Sequence, residues 1–411
     1  MLFQLNKFKP VKKFLENAEI FFAILGLTFF SGVLGIGAMG DVLPSAVATS
    51  IRYIVWVAST LLIFIYWKKS LIAASRDVLL CLLTVLSLLS FAWSEFPDFT
   101  LSNAKEIFMM TSFGLYLATR FTLREQVQLI AFTLLLGAFF SIFFAIVFPS
   151  IAIHGFDHPG AWRGVYGYKN TLGSMMVLSS LAFFSLPKDS SILYKWFGFS
   201  LSIVLMLLST SKTSLVLSFL LILVMLFYKN FRWQGKISVI FVDIGVLVLG
   251  CLSLVIFSYW VELISGLGKD PTLTGRTPLW ATAISRLMER PFFGYGRDAY
   301  WAPKSKFAVE AGKAISGWIP PHAHNGFLDV ALDIGLVGLS LFLVSFVIAF
   351  ARALKRAYAT KDTEELWPLA FLSFLAMNNM TESFLMRLAN LYWVLYIAIA
   401  FTGHQKRLKR D

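Results

Sequence analysis

Between residues 19 and 403 the chain runs in apolar stretches of roughly 14 to 26 residues, most of them long enough to cross a hydrocarbon core of about 30 Å. Inside a bilayer the backbone must satisfy its own hydrogen bonds, so stretches of this kind fold as helices. The length rule gives about twelve spans, near 19–40, 44–66, 76–93, 105–120, 127–148, 170–186, 194–209, 213–228, 238–259, 325–350, 367–380 and 385–403. Only 14% of the 411 residues are charged, and mean hydropathy is +0.73, which excludes a water-soluble core. The expected fold is an all-α polytopic membrane protein. It forms one transmembrane helical domain over 1–411, with one long extracytoplasmic lobe, 261–324, inserted between two spans.

The basic start (Lys7, Lys9, Lys12, Lys13) and the apolar run from about residue 20 to 40 superficially match a signal peptide. The run is too long, lacks a clear small-x-small cleavage site and is followed by further spans, so it reads as an uncleaved first helix. Cys81 and Cys251 lie in separate apolar runs, where a lone thiol behaves as a small hydrophobe and implies neither disulfide nor metal. With the N-terminus inside, the cytoplasmic tails and loops hold 22 of the 36 Lys and Arg, and the opposite short loops hold 5. That asymmetry puts both termini in the cytoplasm. The net charge of +13 then reflects topology and calls for no nucleic-acid partner.

In this topology the unusual polar clusters all fall on the outer side: 93–97, 154–170, 210–213, the lobe itself and 378–383. Ionisable groups at membrane depth are expensive and mark function by default, although interfacial Lys and Arg also snorkel to water. Within the lobe, Thr277-Pro278 offers a helix start, and Leu279, Trp280, Ala283, Ile284 and Leu287 share one face until Pro291. An amphipathic helix is expected there, either a packing lid or part of a site. Arg276 stands at its N-terminal end, where the dipole favours anions, so an anionic group is the natural compensation. Phe293-Gly294-Tyr295-Gly296 makes a tight turn; without a preceding strand its glycines read as structural.

Ile319-Pro320-Pro321 is a stiff lead into His322-Ala323-His324-Asn325, and a long apolar helix begins near Asn325. A helix N-terminus disfavours imidazolium, which would leave His324 able to accept a proton; a capping interfacial histidine is the plainer alternative. No Cys or His/Asp/Glu set completes a metal site around the two histidines, and Asp329 and Asp333 read as hydrogen-bonding groups inside the bundle. Arg163, Lys169 and Asn170 precede another apolar helix. With Arg276 and Lys212 they would suit a diphosphate, or serve only as headgroup anchors.

The ordered motifs Trp-Ser-x-x-Pro (93–97), Trp-Arg-Gly-x-x-x-x-Lys-Asn-x-x-Gly (162–173), Ser-x-Ser-Lys-Thr (209–213), Gly-Arg-x-x-x-Trp (275–280), Pro-x-x-Gly-x-Gly (291–296), His-Asn (324–325) and Gly-x-x-Gly (335–338) resemble the O-antigen ligase and Wzy-type polymerase superfamily. The Trp-Arg-Gly and Lys-Asn pattern is most similar to ExoQ-like exopolysaccharide polymerases. The resemblance implies a metal-independent, cofactor-free GT-C glycosyltransferase at the outer face of the bacterial cytoplasmic membrane. Its donor would be an undecaprenyl-diphosphate-linked oligosaccharide. The acceptor would be another glycan, or lipid A core in a ligase, with membrane lipids and polysaccharide assembly proteins as further partners. It further implies that Arg163, Lys169 and Arg276 hold the diphosphate, with Asn170 and Lys212 beside them. His324 would take the acceptor proton, with inversion, supported by His322, Asn325, Trp280 and Glu382. A transporter or flippase, or a structural assembly partner, are the competing classes. A transporter normally gathers its polar residues near the bilayer midplane, with Arg52 here as the one ionisable residue expected deep in a span.

Overall fold

The computed structural model describes residues 9–34, 44–156, 158–230, 244–245, 247–254, 276–315, 319–359 and 362–403. The expected span 238–259 and the first part of the lobe, including Gly275, therefore fall largely or wholly outside the described residues. The named elements are helical: α1 (Lys9–Phe30), α2 (Ser45–Ile65), α3 (Trp67–Ala74), α4 (Val78–Leu89), α5 (Pro97–Arg120), α6 (Leu123–Val147), α7 (Pro149–Ala152), α8 (Lys169–Phe184), α9 (Ile192–Leu208) and α10 (Lys212–Asn230). They continue with α11 (Arg276–Glu289), α12 (Lys306–Lys313), α13 (Gly326–Ala359), α14 (Trp367–Asn378) and α15 (Leu391–Phe401).

Local chemistry sets several of these starts. Pro97 opens α5 with Asp98 in its first turn, and Thr122 and Glu125 form a reciprocal capping box on α6. Asp77 caps α4 by accepting from the Leu80 amide at 3.1 Å. Among the described residues, three helices are long and apolar enough to cross a membrane by themselves: α2, α6 and α13. The expected span at 76–93 differs from the structure. Its helix pairs with α3 across a 95° bend, and the expected loop at 67–75 is itself helical. The first helix runs over Lys9–Phe30 where 19–40 was expected, beginning within the basic segment.

The outside of the bundle is apolar where a soluble protein would be polar. Tyr53, Ile54, Val57, Leu61 and Phe64 of α2, and Val344, Val347 and Ile348 of α13, are exposed, whereas Ser59, Thr133, Ser179, Ser202 and Ser345 are buried. Lipid is the solvent that suits such a surface, and the protein is an integral helical membrane protein. Arg52, the charged exception in α2, pairs with Glu106 of α5 at 2.8 Å.

The lobe is fastened into a break in α13. Ile334 (φ −132°, ψ 17°) and Gly335 (φ 72°, ψ −176°) leave helical geometry, which frees backbone groups that a bilayer cannot satisfy. The segment 291–296 fills the break. The amides of Tyr295 and Gly296 donate to the carbonyls of Leu332 and Asp333 at 2.8 and 2.9 Å, and those of Leu336 and Val337 donate to Pro291 and Phe292 at 2.7 and 3.2 Å. A Cβ on Gly294 would stand 2.4 Å from the Leu332 oxygen. The glycines of Pro-x-x-Gly-x-Gly and the first glycine of Gly-x-x-Gly are thus structural, because the two motifs are each other's partner. Trp93 joins them, its indole N–H donating to the Phe293 carbonyl at 2.9 Å, while Glu95 pairs with Arg290 at 2.8 Å.

Gly335→Ala is expected to be among the most damaging single-methyl changes in the protein. The Gly335 backbone lies in a region essentially reserved for glycine, a cost of about 1–3 kcal/mol by itself. The added Cβ would also stand 2.0 Å from the Phe292 oxygen. Fluorescence-detected size exclusion should show a lowered melting temperature and reduced monodisperse yield; a wild-type profile would mean that the break is not held as described.

Candidate active site

His322 to Asn325 is held at the start of α13 from both sides. Asn325 caps the helix, its side-chain oxygen accepting from the amides of Phe327 and Leu328 at 3.1 Å each. Trp280 of α11 donates from its indole N–H to the Ala323 carbonyl at 2.7 Å, which ties the amphipathic helix to the histidine segment. Asp329 accepts from the Ala323 amide at 3.0 Å and from the Trp301 indole at 2.8 Å. His324 itself has φ +52°, a left-handed conformation uncommon for a residue other than glycine. Its amide donates to His322 Nδ1 at 3.2 Å, and the two rings meet edge to face with centroids 4.3 Å apart. Burial first, then the neighbouring His324, Arg387 and Arg276, push the His322 imidazole well below its ordinary pKa, so it serves as an acceptor.

Glu382 joins the candidate residues. Its Oε2 lies 3.6 Å from His324 Nδ1, its Oε1 lies 3.7 Å from Arg276 Nη2, and the same Oε1 accepts from the Asn170 side-chain amide at 3.0 Å. Both of the first two distances are longer than hydrogen bonds, and the contact with His324 becomes an ion pair only when the imidazole is protonated. Burial by itself raises the Glu382 carboxyl; the nearby His324, Arg276 and Asn170 more than offset that and hold it below the usual carboxylate range. The loop carrying Glu382 is locked to the same helix start, since the Gly326 amide donates to the carbonyls of Asn379 and Glu382 at 2.9 and 3.1 Å. Four separate segments, at 170, 276, 324 and 382, thereby meet around one carboxylate.

Lys169 and Lys212 begin α8 and α10 beside one another. Burial, and then the Lys212 charge, push the Lys169 ammonium below its ordinary range. Two cations forced together at helix N-termini are suited to an anion. Arg163 is placed differently: its guanidinium donates to the Ser150 carbonyl at 3.2 Å, and it makes no described contact with the Glu382 group. The structure therefore brings together Arg276, Trp280, His322, His324, Asn325, Asn170 and Glu382, and sets Lys169 beside Lys212.

Two arginines that the motifs did not single out support this arrangement. Arg297 is 2% exposed; its guanidinium donates to Asp333 in α13 and to the Met386 carbonyl, and its amide donates to Ser90 Oγ at 2.9 Å. Arg387 reaches Asp298 at 3.4 Å and the Pro321 carbonyl at 3.5 Å, next to His322. The available signal was an arginine directly after the Gly294-Tyr295-Gly296 turn and an arginine in the loop after Glu382. Asp333, one turn from Asp329, is confirmed as a hydrogen-bonding group inside the bundle, its Oδ1 accepting from the Asp298 amide at 2.8 Å.

As chemistry, the group offers an imidazole whose Nδ1 faces a carboxylate, a guanidinium on the other side of that carboxylate, and a pair of ammonium groups on neighbouring helix starts. A carboxylate beside an imidazole fixes its orientation and stabilises the imidazolium formed when it takes a proton. Clustered cations stabilise a departing anion.

The family model for O-antigen ligase (Wzy_C) matches residues 197–343, a region that contains Arg276, Trp280, His322, His324 and Asn325. The exopolysaccharide production protein ExoQ of Rhizobium meliloti (strain 1021) is 26% identical over 283 residues, 66% of this chain and 64% of ExoQ, so the chain covers less than two thirds of that relative's length. A provisionally named polysaccharide ligase of Rickettsia conorii is 32% identical over 85 residues, 19% of each chain. Another from Rickettsia prowazekii is 29% identical over 84 residues, 19% of this chain and 20% of the relative. In keeping with its ordered motifs and helical membrane architecture, the chain is similar to O-antigen ligases over residues 197–343 and to ExoQ over 66% of its length.

Proposed function

We propose that the protein is a metal-independent, inverting glycosyltransferase of the GT-C type that polymerises surface or exopolysaccharide repeat units. The donor is an undecaprenyl-diphosphate-linked glycan, and the reaction takes place on the outer face of the bacterial cytoplasmic membrane. The observation that carries this reading is Glu382 set between His324 and Arg276 at 3.6 and 3.7 Å. His324 takes the proton from the acceptor hydroxyl as its oxygen attacks the anomeric carbon from the face opposite the diphosphate. The bond from that carbon to the diphosphate oxygen breaks with inversion, and the lipid diphosphate leaves with the electron pair. Arg276, Lys169 and Lys212 stabilise the charge that grows on it, with Asn170 orienting Glu382. Arg163 lies off this group and serves the donor further from the reacting carbon.

The topology that goes with this is about twelve spans in a single domain, both termini cytoplasmic and the 261–324 lobe outside. Membrane lipids, the glycan acceptor and polysaccharide assembly proteins are its partners. Ligation to lipid A core is the second reading, favoured by the ligase names of the two Rickettsia relatives. A transporter is disfavoured because the polar groups gather around the start of α13 rather than at mid-membrane.

The test is glycan extension by purified protein in detergent, given a diphosphate-linked repeat unit alone, then with lipid A core, each with and without EDTA. Ladders from the repeat unit alone, unchanged by EDTA, are expected. Transfer confined to the lipid A core reaction would make the protein a ligase, and no transfer in either would return the transporter reading. Arg276→Ala is expected to lower the extension rate roughly 100- to 1,000-fold, the size of effect seen when one preorganised charge-stabilising donor is removed.

A further inference from the structure

The far end of α13 carries a second cationic cluster with no part in the chemistry above. Arg352 and Arg356 lie beyond the break in α13, about 24 to 30 Å from Leu336 at 1.5 Å per residue, close to the thickness of a hydrocarbon core, about 30 Å. These arginines therefore stand at the end of α13 remote from the break and from His324. Arg76, from the bend between α3 and α4, meets them there. Arg76 Nη1 donates to the Phe401 carbonyl at 2.6 Å, Arg356 Nη2 donates to the Thr402 carbonyl, and Arg352 Nη1 donates to the Arg76 carbonyl at 3.4 Å. Two guanidinium groups thus cap the carboxyl end of α15, and the third is held against the Arg76 backbone.

Capping the last carbonyls of α15 accounts for two of them, since cations suit a helix C-terminus. The third, Arg352, is held instead by the Ile348 and Arg76 carbonyls and by the Asp77 carboxylate. Arg352 Nη2 has no hydrogen-bond partner among the described residues; the Asp77 carboxylate stands 3.5 Å away. Asp77 is already engaged, accepting from the Leu80 amide at 3.1 Å and from Ser345 Oγ at 2.8 Å, with Ser345 in turn 2.6 Å from the Tyr396 hydroxyl. The other acidic group at hand is Glu365, whose charge acts on Arg356. Lys355 adds an exposed ammonium one residue away, and Gly403 lies against the Arg76 guanidinium. Among the described residues four cations gather with two carboxylates, and the three arginines are held by backbone carbonyls.

We propose that Arg76, Arg352 and Arg356 form a binding site for the phosphate of an anionic membrane lipid, at the end of the bundle opposite His324. A guanidinium held by one edge presents its other edge to a phosphate oxygen, and basic pockets between helices at a membrane surface take anionic headgroups. Lys355 supplies the exposed flank of the same site. Occupancy joins the α3–α4 bend, the end of α13 and the end of α15 through one anion.

The experiment is thermal unfolding of the full-length protein in an uncharged detergent, with phosphatidylglycerol, phosphatidylcholine or inorganic phosphate added. Phosphatidylglycerol at about a hundredfold excess over its Kd is expected to raise the melting temperature by about 3 °C. Phosphatidylcholine and inorganic phosphate should leave it unchanged. Arg352→Gln should lose at least half of the phosphatidylglycerol shift. Should that variant fail to fold, Lys355→Gln, at an exposed position, keeps the test open and should require several-fold more lipid for the same shift. Equal shifts in wild type and the folded variants would overturn the site. An equal shift from inorganic phosphate would overturn the lipid as its occupant, and an equal shift from phosphatidylcholine would overturn its preference for an anion.

Discussion

His324→Ala is expected to lower glycan transfer roughly 100- to 10,000-fold, the range contributed by a positioned general base, while the purified protein stays monodisperse. The separation is expected because the histidine segment is held by groups other than the imidazole. Asn325 caps α13, Trp280 holds the Ala323 carbonyl and Asp329 holds the Ala323 amide. His324 Nδ1 has no hydrogen-bond partner among the described residues, so removing the ring breaks none there. Backbone strain is the one confounding term, and His324→Asn addresses it. Asparagine tolerates the left-handed conformation at φ +52° better than most residues but cannot act as a base near neutral pH. The asparagine variant should melt no lower than the alanine variant and be equally inactive. Near-normal polymer from either would remove His324 from the chemistry.

Arg297→Met is expected to cost about 3–5 kcal/mol, because it strands the buried Asp333 carboxylate without its cation. Asp333 is 2% exposed and sits beside the break in α13, so the charge has no route to water. The same substitution removes the donor to the Met386 carbonyl and loosens the loop that carries Arg387. Melting of the single variant should fall by several degrees. Arg297→Met combined with Asp333→Leu should recover most of the loss, since an apolar pair replaces a buried ion pair at little cost. A single variant that melts like wild type would show that the pair does not hold the lobe to α13.

The helical, membrane-embedded character was legible because the bilayer leaves few choices. Apolar length decides that a segment is a helix, and a lone polar or proline signal decides where it starts. Asn325 before α13 and the Thr277-Pro278 pair in the first turn of α11 follow from such local signals. Arg276 and His324 were each identifiable by standing at a helix start, a property of a few neighbouring residues. The 95° bend between α3 and α4 was not legible, because both halves are apolar and hydropathy is blind to direction. Nor was the break at Ile334–Gly335, where glycine in an apolar run carries no sign of the partner that fills it.

What only the tertiary structure decided is which of these polar groups meet. Asn170 and Glu382 are 212 residues apart, and Arg297 and Asp333 are 36 apart on different elements. No periodicity or motif spacing encodes such a pairing. Arg163 and Lys169 stand in one motif six positions apart, yet Arg163 turns to the Ser150 carbonyl while Lys169 is set beside Lys212. The sequence alone determined helices, their membrane setting and the residue types available for anion and proton chemistry, because those depend on local composition and length. The packing of 291–296 into α13 and the closure of the 378–390 loop on Gly326 determined that Arg276, His324 and Glu382 form one group, because long-range backbone hydrogen bonds fix their separation.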